Sequence, residues 1–259
     1  MAGFDPSWLA LREPADGRAR STDLIAKAGA LLVGQSAPLV CDLGAGTGAA
    51  ARAFAVQFPS ETRWVLVDGD AACLAVARQT LQAAETRLVD LSQEPSPWPS
   101  ATSLVTATAL FDLANADWIR AFAARLVKDR LPILSCLTFD GLLSFEPTHP
   151  DDDLLVHAFR THQCRDKGLG GPAAGPDAGH VLADELERLG YQVELATTPW
   201  ELTAERDGEL IAALLDGYVQ AARDLDGVPE STLVRWLSAR KDHTARHVVG
   251  HVDLLAIPI

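Results

Sequence analysis

LVCDLGAGTGAAARAFA, running from Leu39 to Ala55, decides how the chain folds. Five residues with an apolar bias, Leu39 to Leu43, read as a buried strand, and the alanine-rich run from Ala49 reads as a helix. Gly44, Gly46 and Gly48 lie between them. A strand that enters glycines and leaves as a helix holds a nucleotide-like ligand against backbone N–H groups. The glycines alone do not say which ligand, because GAGTGA satisfies both a GxGxxA dinucleotide spacing and a GxGxG spacing. Asp42, two residues before the first glycine, is more informative. A carboxylate there opposes a pyrophosphate and suits a ligand with a cationic end. Asp68 closes the next apolar run, twenty residues after Gly48, where a carboxylate can accept both hydroxyls of a ribose. Asp90 closes the third run, in reach of an exocyclic amine.

Working outward, apolar runs alternate with helical stretches: Arg63 to Asp68, Glu85 to Leu91, Ser103 to Leu110 and Leu131 to Phe139 are the strands. Between them lie helices at Ala49 to Phe58, Ala71 to Ala83 and about Asp117 to Val127. This spacing predicts right-handed βαβ crossovers in a parallel sheet. Upstream, Ser7 to Leu32 reads as one helical segment with a cap near Ser21 or Thr22. Downstream, the alternation breaks at Glu146 to Ala178, rich in Pro, Asp, His and Gly, and a stretch of this length is expected to be a functional cover or disordered. A helix from His180 to Leu189, the apolar YQVELATTPWEL, helices at Glu209 to Leu225 and Pro229 to Lys241, and a last strand HVDLLAIPI complete the chain. One domain is expected over residues 1–259: a helical segment (1–37), a cofactor-binding half (38–145), an insertion (146–190) and C-terminal strands and helices (191–259).

Composition narrows the classes. With 22 Lys and Arg against 35 Asp and Glu, the formal charge of −13 argues against a nucleic-acid partner and against an anionic membrane surface. No apolar run is long enough to span a bilayer and no signal-like segment opens the chain, so a cytosolic location is expected, and the heavy use of alanine and arginine suggests a bacterial source. Cys41, Cys73, Cys136 and Cys164 are scattered, without metal or disulfide spacing. His157, His162 and Cys164 match no common ligand pattern, and no metal is expected.

With these motifs in view, the chain resembles the class I S-adenosylmethionine (SAM)-dependent methyltransferases. VCDLGAGTG is similar to their glycine motif, WVLVDGD to their ribose-binding acidic motif, TRLVDLS to the adenine-contacting turn and SLVTATALFDL to the fourth-strand segment that faces the methyl group. The resemblance runs from about Val40 to Asp112. It implies an α/β, Rossmann-like sheet of seven mostly parallel strands, ordered 3-2-1-4-5-7-6, with helices on both faces, an N-terminal helical cap and an insertion after strand 5. It also implies SAM as cofactor, S-adenosylhomocysteine (SAH) as product, and a cofactor site of Asp42, Gly44, Ala45, Gly46, Gly48, Asp68, Gly69, Asp90 and Leu91. One of Arg12, Arg18 and Arg20, Arg20 foremost, would pair with the cofactor carboxylate. The fourth strand ends in ATALFDLAN, without the aromatic-proline motif of enzymes that methylate base amines, which points to a small-molecule acceptor.

Methyl transfer is an in-line displacement that needs alignment above all, and a base only if the acceptor must lose a proton. His162, in the insertion, and Asp112, after the fourth strand, are the candidates for that role. The glycines at 168, 170 and 171 would let the insertion move over the substrate. Two readings compete. An NAD-dependent oxidoreductase shares the strand and loop, but Asp42 and Asp90 oppose it and neither Tyr191 nor Tyr218 sits in a Tyr-x-x-x-Lys pair. A non-catalytic SAM-binding regulator would keep the cofactor pocket alone.

Overall fold

The computed structural model describes residues 5–225 and 227–259. Its centre is one sheet in the order β3-β2-β1-β4-β5-β8-β6, with β7 paired to the far end of β8. The parallel part comprises β1 (Leu39–Leu43), β2 (Arg63–Asp68), β3 (Glu85–Leu88), β4 (Thr102–Thr108) and the first residues of β5 (Ile133–Glu146). The helices α3 (Ala49–Phe54), α4 (Ala71–Thr80) and α5 (Ala116–Lys128) link these strands. β8 (Arg246–Pro258) runs antiparallel to β5, to β6 (Tyr191–Thr197) and to β7 (Trp200–Thr203).

Both sheet faces are buried, as parallel strands require. Along β1, Cys41 and Leu43 pack with α5 and with α7 (Ala178–Arg188), whereas Val40 packs with α3 and with α2 (Thr22–Ala30). The β5–β8 pair continues past the parallel sheet as a long ribbon. Its Phe139, Phe145 and Val249 meet Leu155 of α6 (Asp152–Gln163), Tyr218 of α8 (Ala204–Arg223) and Trp236 of α9 (Glu230–His243) in a second core. Among the described residues, no helix is long and apolar enough to cross a membrane.

The anticipated order therefore holds, with three corrections. Among the described residues there are eight strands, not seven, because YQVELATTPWEL is broken at Thr198–Pro199 and both halves pair with β8. The N-terminal segment is two helices, α1 (Pro6–Ala19) and α2, separated at Arg20, whose extended backbone (ψ 141°) is followed by Ser21 capping Leu24 N–H. The insertion is ordered and contains α6, whose buried Leu155 and Ala158 lie three apart, with Asp152 and Asp153 in its first turn.

Candidate functional site

The cavity of about 250 Å³ at the carboxyl ends of β1, β2 and β4 is built around the glycine loop. Gly44, Gly46 and Gly48 all adopt positive φ (63°, 52° and 81°), a conformation that disfavours side chains. The loop is held from below: Ala45 N–H donates to Val67 O (3.0 Å) and Gly46 N–H to Asp68 Oδ2 (2.7 Å). The other oxygen of Asp68 accepts Asp70 N–H (2.8 Å), and Asp70 in turn caps α4. Burial raises the Asp68 carboxyl while these amide bonds pull it down.

Asp42 lies fully inside the protein at the head of the loop. Its Oδ1 accepts the Thr106 hydroxyl at 2.7 Å, and its Oδ2 has no partner among the described residues. Burial pushes it up to about 7, against the Thr106 bond and the charge of Arg20. Among the described residues, Arg20, 4% exposed, finds no hydrogen-bond partner for any of its three guanidinium nitrogens; its guanidinium carbon lies 5.7 Å from the centre of the Phe54 ring. The break between α1 and α2 turns this side chain into the cavity, whose wall it shares with Asp42. A buried cation with unused donors beside a carboxyl with an unused acceptor is costly unless a ligand completes both.

Helix α1 closes the cavity with Leu9, Arg12 and Asp16, which its turns bring to one face. Arg12 is forked onto Asp16 (Nε to Oδ2 3.0 Å, Nη2 to Oδ1 3.1 Å) and lies 4.8 Å over the Trp200 ring. Trp200 Nε1–H also donates to Asp16 (3.1 Å). Glu13 pairs with Arg52 of α3 (2.7 and 2.9 Å), and Arg52 donates to the loop carbonyl of Thr47. Arg18 turns away to Asp207 of α8.

Of the anticipated cofactor residues, Asp42, Gly44, Ala45, Gly46, Asp68, Gly69, Leu91 and Arg20 line the cavity. Gly48 shapes the loop from behind. Asp90 does not line it: it is exposed and accepts Ser92 N–H (2.9 Å), and Ser92, through its side chain first and its N–H second, pulls the carboxyl below the usual range. Its neighbour Leu91 lies in the wall instead, its carbonyl accepting Trp118 Nε1–H (3.0 Å). Sequence reasoning missed Thr106 and Thr108. Both are polar interruptions in the apolar run of β4; Thr106 is in register with Asp42, and the buried Thr108 hydroxyl is unpartnered beside the cavity.

The two candidate proton acceptors separate. Asp112 follows Leu110 of the cavity wall in a short 3-10 turn, Phe111–Leu113. It is buried, its Oδ1 has no partner among the described residues and burial pushes it up to about 6. His162, on α6, does not line the cavity. Its Nδ1 faces Lys167 Nζ at 3.3 Å and its Nε2 faces Asp224 Oδ2 at 3.4 Å; burial, then the charge of Lys167, lowers its pKa. The glycine-rich part of the insertion is pinned to the entrance of α5: Asn115 N–H donates to Leu169 O (2.8 Å), Asn115 Nδ2 to Pro172 O (2.8 Å) and Ala174 N–H to Ala114 O (2.7 Å).

Residues 40–129 match a protein family described as a methyltransferase domain. No curated protein matches the sequence. Among solved structures, a putative methyltransferase from Bacillus halodurans C-125 is similar over 92% of this chain and 100% of its own, at 15% identity and a TM-score of 0.54. The YcgJ protein of Bacillus subtilis is similar over 92% and 99%, at 11% identity and 0.52. A Haemonchus contortus phosphoethanolamine N-methyltransferase 2, solved in complex with S-adenosyl-L-methionine, is similar over 99% of this chain and 58% of its own, at 11% and 0.50. At these identities the likeness is one of fold.

Proposed function

We infer that this chain, which carries the methyltransferase-domain match on a class I methyltransferase fold, is a SAM-dependent methyltransferase of a small-molecule acceptor. The observation that carries the reading is the pair Arg20 and Asp42: a buried guanidinium and a buried carboxyl oxygen, both unpartnered, in the wall of one cavity. An amino-acid end completes both, its carboxylate on Arg20 and its ammonium on Asp42. Asp68 and Gly69 would receive the ribose, and Leu91, Ala71 and Cys73 offer the apolar slot for a base. An NAD reading is disfavoured because the Gly46 amide that a pyrophosphate would use is already donated to Asp68, and Asp42 stands behind it.

When bound, the sulfonium supplies an activated methyl group. The chain's own residues then have to align the acceptor, exclude water and take up a proton. Of the two candidates, we assign the proton to Asp112, beside the cavity wall at the end of β4, since the His162 ring is occupied by Lys167 and Asp224. The same unpartnered Asp112 supports an acceptor site over a purely cofactor-binding regulator. Thermal unfolding with SAM, SAH and NAD in separate samples tests the cofactor class. At a hundredfold excess over the dissociation constant, SAM and SAH should add about 2.7 kcal/mol, raising the midpoint by roughly 5–10 °C. A shift with NAD alone would overturn the reading.

A further inference from the structure

Arg20 stands in the cavity wall because helix α1 ends at it, and the group that ends the helix lies outside the cavity. Were α1 to continue, Ser21 N–H would donate to the carbonyl of Gly17, four residues back. It donates instead to Asp253 Oδ2, at 2.8 Å. Arg20 is left with an extended backbone (ψ 141°), and its side chain leaves toward the glycine loop.

Asp253 belongs to β8 and is fully buried. Its other oxygen, Oδ1, accepts Leu137 N–H (2.7 Å) and the Thr198 hydroxyl (2.9 Å). Leu137 lies where the β5–β8 register breaks between Ser135 and Thr138, and its φ of 56° is strained for a leucine. Thr198 follows the last residue of β6, at the corner that leads to β7. One carboxylate therefore ties the β5 bulge, the β6–β7 corner and the junction of α1 with α2, and it does not line the cofactor cavity. Donors on both oxygens fix a buried carboxylate in place. The Ser21 bond hands that fixed place on to Arg20.

We propose that Asp253 is a positioning residue of the cofactor site: by holding Ser21 N–H out of helix α1, it aims the Arg20 guanidinium at the carboxylate of the cofactor's amino-acid end. It touches no ligand itself. The proposal rests on the SAM reading and adds to that site a residue 232 positions from Ser21 in sequence.

Asp253→Asn isolates the bond to Ser21. The amide oxygen can keep Leu137 and Thr198, which leaves the amide nitrogen facing Ser21 N–H, donor against donor. Titration calorimetry compares SAH with 5′-methylthioadenosine, which lacks the amino-acid end. Asp253→Asn should weaken SAH about tenfold and leave 5′-methylthioadenosine unchanged, and in an Arg20→Met background it should cause no further loss. Thr198→Val, which takes a donor from Asp253 but keeps the Ser21 bond, should bind both ligands as the unmutated chain does. The Ser21 amide gives a readout that needs no variant: in hydrogen exchange followed by NMR it should be protected in the apo protein, and protected further by SAH but not by 5′-methylthioadenosine. Equal weakening of both ligands, an unchanged SAH affinity in Asp253→Asn, losses that add in the double variant, or a Ser21 amide exchanging like an exposed one would each overturn the role of Asp253. An unmutated chain that fails to bind SAH would overturn the cofactor reading and this role with it. An unchanged SAH affinity in Arg20→Met would overturn the Arg20 contact and this role, and leave the cofactor class standing.

Discussion

Asp42 is held by a single bond from Thr106 and pushed up to about 7 by burial, so the apo protein carries its proton into the neutral range. A folded-state value above the ordinary 3.8 means stability that is fully present below about pH 4 and lost as the pH rises through 7. Asp112, pushed up to about 6, adds to the same slope. Burial lowers His247 to about 4 and His251 to about 3, which makes stability rise with pH up to about 6.5, so the fall of the apo midpoint due to the carboxyls should emerge between pH 6.5 and 8 and be shallower in Asp42→Asn. A cationic ligand end favours the ionised carboxylate, so SAM should bind more tightly at pH 8 than at pH 6 and release protons on binding, which titration calorimetry in two buffers reads directly. Arg20→Met removes a buried guanidinium without partners. It should leave the apo protein folded, weaken SAH by about 10- to 100-fold for the loss of a charged hydrogen-bonding group, and spare 5′-methylthioadenosine, which lacks the amino-acid end. Asp42 and Asp68 were legible because the glycines fix their places. Thr106 and Asp16 were not, since their partners lie 64 and 184 residues away in sequence.

At the scale of elements, the glycine loop and α3 were readable because a positive-φ loop leaves few residue types to choose from. Gly48 has φ 81°, and a Cβ there would sit 2.7 Å from Leu81 Cδ1. The Leu81 side chain can turn aside, but the positive φ remains, so Gly48→Ala should cost about 1–3 kcal/mol in denaturant unfolding and weaken SAH through the strained loop. The break between α1 and α2 was hidden: the Ser21 cap was visible, but helical periodicity on both sides of it masked the extended Arg20. Helix α6 was hidden for the opposite reason, since its few apolar residues are flanked by Pro, Asp and His. The docking of the glycine-rich part of the insertion was not legible either, because only its pairing with Ala114 and Asn115 fixes its place.

At the scale of the molecule, β5 and β8 run through both hydrophobic cores: Ile133 and Leu134 in one half, Phe139 and Phe145 in the other. The chain should therefore unfold in one calorimetric transition with van't Hoff and measured enthalpies in agreement. Trp236 lies fully buried in the second core, donates to Asp152 (2.8 Å) and meets the Phe145 ring edge-on. Trp236→Ala should remove about 3–5 kcal/mol and lower the whole transition without splitting it. The alternation of strands and helices made the parallel half legible, but the ribbon could not be read, since strand length depends on a partner strand about a hundred residues away. Helix α1 is fastened on both sides, by Glu13 to Arg52 and by Asp16 to Trp200, and its Leu9, Arg12 and Asp16 wall the cavity at the glycine loop. In the proposed reaction the cofactor therefore lies beneath a fixed wall, and the acceptor has to enter over it. Turnover should follow a compulsory order, cofactor on first and its demethylated product off last, with SAH inhibiting competitively against SAM and noncompetitively against the acceptor.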